Sequence, residues 1–388
     1  VHELTYLRGT EAAFPAEEFA KRQAQARQRI QDAGHKALVV TGPENIYWLT
    51  GRQTAGYFAF QALILAVEGA PVLLVRQLEL PGAIANTWLT DIVAYQDGED
   101  PAQALASILA RLGIARPAIE KAGWFVSPNL MAEIETAIGT GVLADGSTLV
   151  APLRMLKSPA ELDMIRLAAG YAQAGLTAGL ATCRSGASEN EVAAAMLAAS
   201  VSAGSETFGM EPLVSSGPRS GLPHMTWRRR LMEGGDAVFL EMAGSHARYH
   251  SALMRTAFIG PVPAEVSAMM DCALKALDAA LAEIRPGASC ARPHEAAQTV
   301  IDAAGYTDAF RKRIGYSMGV AFAPDWGEGG ILSLFTGTDV RLEPGMVFHL
   351  PATLRAFGRF TVGASETVIV TDHGCDILST LPRGITVC

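Results

Sequence analysis

Polar residues of acid–base type recur inside segments that otherwise read as core strands. Glu241 lies in "VFLEMAGSH" and His250 in "YHSALMRT", the two arms of an apolar hairpin; His349 lies in "GMVFHLP", Ser365 and Glu366 in "GASETVIV", and Tyr316 in "RIGYSMG". His224 ends the loop "SGPRSGLPH". A carboxylate, several imidazoles and a phenol gathered in one dry cleft can accept and deliver protons or attack an electrophilic carbon. Each also has a plainer role. A buried polar group needs a hydrogen-bond partner whether or not it does chemistry, and a strand glutamate commonly pairs with an arginine such as Arg255. Convergence on a single cavity is what separates the two readings.

Strand alternation says which of these residues share a face. Glu241 goes with Phe239 and Ala243, and His250 with Ala252 and Met254, because side chains two apart point the same way. The arms that carry them follow the helical stretch "ENEVAAAMLAASVSAG". A second passage repeats the order loosely, with "VSAMMDCALKALDAALAEIRPGAS" and "PHEAAQTVIDAAG" followed by the strands "GMVFHLPATLR" and "RFTVGASETVIVT". This helix-then-hairpin duplication predicts a pseudo-twofold domain with a cleft between its halves. Upstream, helical and strand patterns alternate: "PAEEFAKRQAQARQRIQDAG", then "KALVVTG", "QALILAV" and "APVLLV", then "PAQALASILARLG". That predicts a mixed α/β domain over residues 1–154. A Ser-Pro entry then opens a long helix near Ala160 and the second domain, residues 155–388.

Composition excludes several classes. The 388 residues are 49% hydrophobic and 18% charged with a net charge of −8, which suits sizeable cores and supplies no basic stripe for nucleic acid. The run Arg228-Arg229-Arg230 beside Glu233-Gly234-Gly235-Asp236 reads as a solvated loop end. Cys183, Cys272, Cys290, Cys375 and Cys388 are odd in number and form no CxxC pair, so neither a disulfide framework nor a thiolate metal site is expected. With no apolar leader and no run of about 18 apolar residues, a cytoplasmic protein without membrane contact is expected.

The order of "LRMLKSPAELDMIR", "SGPRSGLPH", "GGDAVFLEMAG", "YHSALMRT", "GYSMG", "LEPGMVFHLP" and "SETVIVTDHGC" resembles the pita-bread superfamily of methionine aminopeptidase, aminopeptidase P, prolidase and creatinase. "GPENIYWLTG" at residues 42–51 is similar to the N-terminal domain of its creatinase and aminopeptidase P branches. The resemblance implies an α/β (α+β) protein: a creatinase-like mixed-sheet domain, then a pita-bread catalytic domain, assembled as a homodimer. The peptidases of that superfamily hold two metal ions with two aspartates, a histidine and two glutamates. Carried onto this sequence, those positions are Glu241, Ala252, Tyr316, Pro351 and Ser365, the last with Glu366 beside it. One carboxylate cannot bridge and cap two ions, so no metal and no other cofactor is expected.

Without a metal to polarise a neutral carbonyl, the electrophile must arrive cationic, as an amidinium or guanidinium does. "GYSMGVAFAPDWGEGGILSL" and "FHLPATLRAFGRFTVGASET" resemble the superfamily's ectoine hydrolase branch, which implies opening of a cyclic amidine, ectoine or hydroxyectoine, to an N-acetylated diaminobutyrate. In that scheme Glu241 binds the amidinium and activates water or attacks the ring carbon. His224, at a position used for acid–base chemistry in creatinase-like members, carries a proton to the departing nitrogen, and His250 and His349 complete the network. Tyr316, Trp326, Ser365, Glu366, Tyr57 and Phe58 line the zwitterionic substrate, and Arg355, or Arg52 from a second subunit, grips its carboxylate. Three alternatives stay open: a single Zn or Fe ion on the three histidines and Glu241, a creatinase-like amidinohydrolase, and a non-catalytic binding protein.

Overall fold

A computed structural model describes residues 2–388, in two units, Val1–Arg154 and Met155–Cys388. In the first, α1 (Ala16–Asp32), β1 (Ala37–Val40), α2 (Pro43–Thr50), β2 (Ala62–Ala66), β3 (Val72–Arg76), α3 (Leu80–Asn86), β4 (Asp91–Tyr95), α4 (Pro101–Arg111), β5 (Ala118–Ile119), α5 (Pro128–Ile138) and β6 (Ala144–Asp145) follow in order. The sheet runs β4-β3-β2-β1-β5-β6 with mixed pairing. The apolar runs read as strands form its centre, where every residue of β1 is buried. The chain leaves α1 through Gly34, whose φ of +77° suits a residue without Cβ. The buried carboxylate of Glu120 closes the start of α2 by accepting the N–H groups of Thr41 (2.9 Å) and Gly42 (2.8 Å).

The second unit opens with α6 (Pro159–Thr182), started by a reciprocal cap in which Ser158 and Glu161 each bond the other's backbone N–H. Next come α7 (Glu189–Ala203), β7 (Leu213–Ser216), β8 (Ala237–His246) and β9 (Tyr249–Phe258). Then follow α8 (Ala264–Ala282), α9 (Arg292–Ala303), β10 (Gly315–Ser317), β11 (Ser333–Leu334), β12 (Val347–Ala356), β13 (Phe360–Val370), β14 (Cys375–Ile377) and β15 (Thr386–Val387). Among the described residues no helix is long and apolar enough to cross a membrane.

Each half carries a long antiparallel hairpin with helices on its outer face. β8 and β9 pair from Ala237 with Phe258 to His246 with Tyr249, and β12 and β13 from Val347 with Ile369 to Ala356 with Phe360. The first hairpin turns through Ala247 and Arg248, both at positive φ. That two-residue geometry matches the strands' twist at a cost of about 1–3 kcal/mol for each residue that is not glycine. Tertiary contacts hold it: Ala247 N–H donates to Glu206 (2.9 Å), and the Arg248 guanidinium lies over the Phe322 ring. The outer faces are apolar. Val238, Leu240, Met242 and Leu253 pack with Leu176, Val192 and Met196 of α6 and α7, and Phe348, Leu350, Val362 and Val368 pack with Met269, Leu277 and Ile301 of α8 and α9. Each such side chain withdrawn from water contributes about 1.5–3 kcal/mol, so alternation is fixed and the polar residues are forced onto the opposite faces. Gly244 lets α6 come this close, since a Cβ there would collide with the Ala168 carbonyl oxygen. The hairpins meet across their inner faces, where Thr256 Oγ1 donates to Gly363 O and Thr367 Oγ1 to Ala252 O, both at 2.8 Å.

Candidate active site

Glu241 sits mid-sheet, opposite Leu213 of β7 on one side and Met254 of β9 on the other. Its side chain is almost wholly buried, and among the described residues no donor reaches its carboxylate. Burial therefore raises its proton affinity well above that of an ordinary glutamate, and the cations Lys312 and Arg355 pull it part of the way back. Arg255 does not pair with Glu241. It binds Glu366 (2.9 Å) and the Ser365 carbonyl (2.7 Å) instead.

The second hairpin faces Glu241 with a chain of hydrogen bonds. Trp326 Nε1 donates to Tyr316 Oη (2.8 Å), Tyr316 Oη meets His349 Nδ1 (2.9 Å), and His349 Nε2 meets Ser365 Oγ (2.7 Å). Register makes this possible: Tyr316 stands opposite His349, and Pro351 opposite Ser365, so all four residues share the inner face. His349 is fully buried, and burial together with Lys312 and Arg255 lowers its pKa to about 3, which leaves the imidazole neutral. The Tyr316 phenol is driven upward by burial and by Glu241, so it keeps its proton.

Lys312 completes the group, from a segment that strand alternation does not reach. It stands in "FRKRIGYSMG", between Phe310 and Ile314, where an Arg-Lys-Arg run reads as solvated. Its Nζ instead donates to the carbonyl of Pro351 and lies 5.4 Å from the centre of the Phe310 ring. Burial, Arg355 and Arg313 lower its proton affinity, and Glu241 raises it. Half-buried Arg355 donates to Thr353 Oγ1 (3.3 Å) while its Nε has no partner.

Several expected roles need correction. His224 is exposed, on a turn with φ of 54°, and among the described residues no contact joins it to Glu241. His250 does share the face of Glu241, four ladder rows away, but both its nitrogens serve the backbone: Nδ1 pairs with Arg248 O (2.8 Å) and Nε2 accepts Gly209 N–H (3.0 Å). It is held neutral, lowered to about 4 chiefly by burial, and has no ring nitrogen left to shuttle protons. Glu366 points away from Ser365, as alternation requires, into an ion pair with Arg255 and Arg383. In the first unit Arg52 is 1% exposed and bound to Glu79 (2.6 Å), so it presents no free guanidinium to a substrate. Tyr57 packs edge-on against Phe125, and Phe58 is exposed. The residues brought together are Glu241, Tyr316, Trp326, His349, Arg355 and Ser365, with Lys312 added.

The profile of metallopeptidase family M24 matches residues 163–372, and that of the creatinase/prolidase N-terminal domain matches residues 22–156. The chain belongs to metallopeptidase family M24. Its architecture is a creatinase-type N-terminal domain followed by the pita-bread domain of that family. It is similar to the ectoine hydrolase of Halomonas elongata, 28% identical over 96% of this chain and 98% of that one. It is also similar, 28% identical over 96% of this chain and 98% of that one, to a probable dipeptidase PepE of Mycobacterium tuberculosis. Among solved structures, the dipeptidase PepE from Mycobacterium ulcerans superposes with a TM-score of 0.83 at 26% identity over 96% of this chain and 99% of that one. The prolidase from Pyrococcus horikoshii gives 0.84 at 20% identity, over 94% and 99%.

The residues here do not fit the family's metal pair. At the ligand positions that the resemblance assigns, Ala252 and Pro351 offer no side-chain donor, and Tyr316 and Ser365 are bound to His349. The one carboxylate, Glu241, faces a lysine and an arginine. Among the described residues no three of His, Cys, Asp and Glu converge as a metal site would require.

Proposed function

We propose that this chain is a hydrolase that opens a zwitterionic cyclic amidine, with ectoine and hydroxyectoine as the candidate substrates, Glu241 as the reacting carboxylate and no catalytic metal. The observation that carries this reading is Glu241 itself: a buried carboxylate with no hydrogen bond of its own, facing two cations. Keeping a largely buried carboxylate without a hydrogen-bond partner in the protein is costly, and a bound amidinium would relieve that cost. The substrate carboxylate would meet Arg355, whose Nε has no partner. His349 acts as a positioning residue that fixes the Tyr316 hydroxyl. Similarity over the full length to an ectoine hydrolase supports the same substrate class.

In the reaction, either the Glu241 carboxylate bonds to the amidinium carbon, or it takes a proton from the water that does. In both routes the C=N electron pair moves onto a ring nitrogen and a neutral tetrahedral adduct forms. Proton transfer to that nitrogen then lets the C–N bond break: the water route yields the amide and the amine directly, and the covalent route releases the amine and leaves an imidic ester on Glu241, which one water hydrolyses to the amide and the free carboxylate. The test incubates the protein with ectoine, hydroxyectoine, creatine and a Xaa-Pro dipeptide, with and without chelator, and follows products by mass spectrometry. Chelator-resistant ring opening that Glu241→Gln abolishes is expected. Dipeptide cleavage that the chelator removes would refute the reading in favour of a dipeptidase.

A further inference from the structure

Ring opening needs a proton delivered to the departing nitrogen, and the histidine expected to deliver it is exposed on a loop while a second is tied to the backbone at both nitrogens. We propose that Lys312 is the general acid of this site, a catalytic residue that protonates the departing ring nitrogen. The proposal rests on the cyclic-amidine reading. Its geometric basis is a side chain anchored at the carbonyl of Pro351 on β12, a residue that stands opposite Ser365 and two along from His349, with Nζ 5.4 Å from the centre of the Phe310 ring; the Glu241 charge acts on it from β8. The other charged or titratable groups around it are Arg355 and His349 on β12, Arg313 on its own segment, and His294 on α9. Burial keeps His349 neutral and lowers the proton affinity of His294, and Glu241 is the one carboxylate in the set.

This arrangement times the proton transfer. In the free site the Glu241 charge holds the proton on Lys312 against burial and the two arginines. When the adduct forms, by either route, the negative charge leaves Glu241 while Arg355 and Arg313 stay. Lys312 thereby becomes a stronger acid at the step that needs one. The balance closes: Lys312 gives its proton to the ring nitrogen, the C–N bond breaks, one proton of the attacking water returns to Lys312, and the other ends on the departing amine. No external oxidant, metal or base is required.

The test compares wild type with Lys312→Met, Lys312→Arg and Lys312→Ala. Position 312 lies outside the apolar clusters, and folding of each variant is checked by circular dichroism. Both Met and Arg are expected to lower kcat by about 10²-fold or more with a smaller change in KM, because arginine keeps the charge and does not release its proton. Added ethylamine should restore turnover to Lys312→Ala. Wild-type kcat in Lys312→Arg, or unchanged kcat in Lys312→Met, overturns the proposal. If the wild type opens no cyclic amidine, the functional reading fails separately, and Lys312 is then judged without substrate by competitive acetic anhydride labelling read by peptide mass spectrometry. Lys312 should label faster at neutral pH in Glu241→Gln than in wild type, while Lys121 does not change; equal labelling of Lys312 in the two proteins overturns its coupling to Glu241.

Discussion

Glu241→Gln should destroy activity and stabilise the fold, and the gain should depend on pH. Burial raises Glu241 to about 7 from an ordinary 4.5. A folded-state pKa above the unfolded one means that the folded chain binds the extra proton. The associated stability is present at low pH and is lost as pH rises through about 7. At about 1.4 kcal/mol per unit the full penalty is about 3 kcal/mol above pH 8. Glutamine removes that penalty and also deprives Lys312 of its counter-charge, which leaves a net gain of about 2 kcal/mol. For a unit the size of Met155–Cys388 this is a rise in Tm of about 4–8 °C at pH 8, shrinking to about 2 °C or less at pH 5. Differential scanning calorimetry of both proteins at the two pH values reads it directly. A gain of equal size at pH 5 and pH 8 would mean a packing effect. A loss at pH 8 would mean that Glu241 is a satisfied structural carboxylate, and the account of the site would fail with it.

Three further outcomes follow from the same geometry. Tyr316→Phe orphans Trp326 Nε1 and His349 Nδ1, which should cost about 1–3 kcal/mol in urea denaturation and lower kcat, whereas a variant as stable as wild type would show that water replaces the hydroxyl. His250→Leu leaves Gly209 N–H without its acceptor and Arg248 O with the Ala321 N–H alone, so it should lose about 1–3 kcal/mol of stability while kcat per folded molecule is unchanged; a selective loss of kcat would return His250 to the chemistry. Arg355→Met should raise KM for a carboxylate-bearing amidine by about 10- to 100-fold and have far less effect on a decarboxylated analogue, the signature of one charge-assisted contact, and equal effects on both would place Arg355 away from the carboxylate.

Strand residues were legible in the sequence to the extent that period-two alternation is rigid. Once Leu240 and Met242 are buried against α6 and α7, Glu241 has one direction left, and the same logic puts His349 and Ser365 together while turning Glu366 away. Alternation gives the face and says nothing about what backbone a side chain meets on it. That is how His250, correctly placed on the inner face, proves to be a clamp for Gly209 and Arg248. Loop residues had no period to constrain them. His224 is set by a positive-φ turn that sequence spacing cannot reveal, and Lys312 is hidden in a basic run whose other members, Arg311 and Arg313, are exposed as such runs usually are. The available clue was proximity to Tyr316, four residues on, in a chain already heading for the inner face.

The missing metal-ligand side chains and Lys312 fit a single account of the pocket. Two unit charges about 4 Å apart interact by about 4 kcal/mol near a protein surface, so acids at positions 252, 351 or 365 without ions between them would repel Glu241 and leave it protonated and unreactive. Replacing them with Ala252, Pro351 and Ser365 removes that repulsion. Pro351 further contributes a carbonyl that lies in the right place to seat an ammonium. Lys312 then supplies, as a fixed charge that can also release a proton, part of what a metal would supply as a Lewis acid, and it does so without polarising a neutral carbonyl. Such a pocket discriminates by charge: an uncharged amide gains nothing from Glu241, whereas an amidinium brings its own electrophilic carbon and meets the one anion in the set.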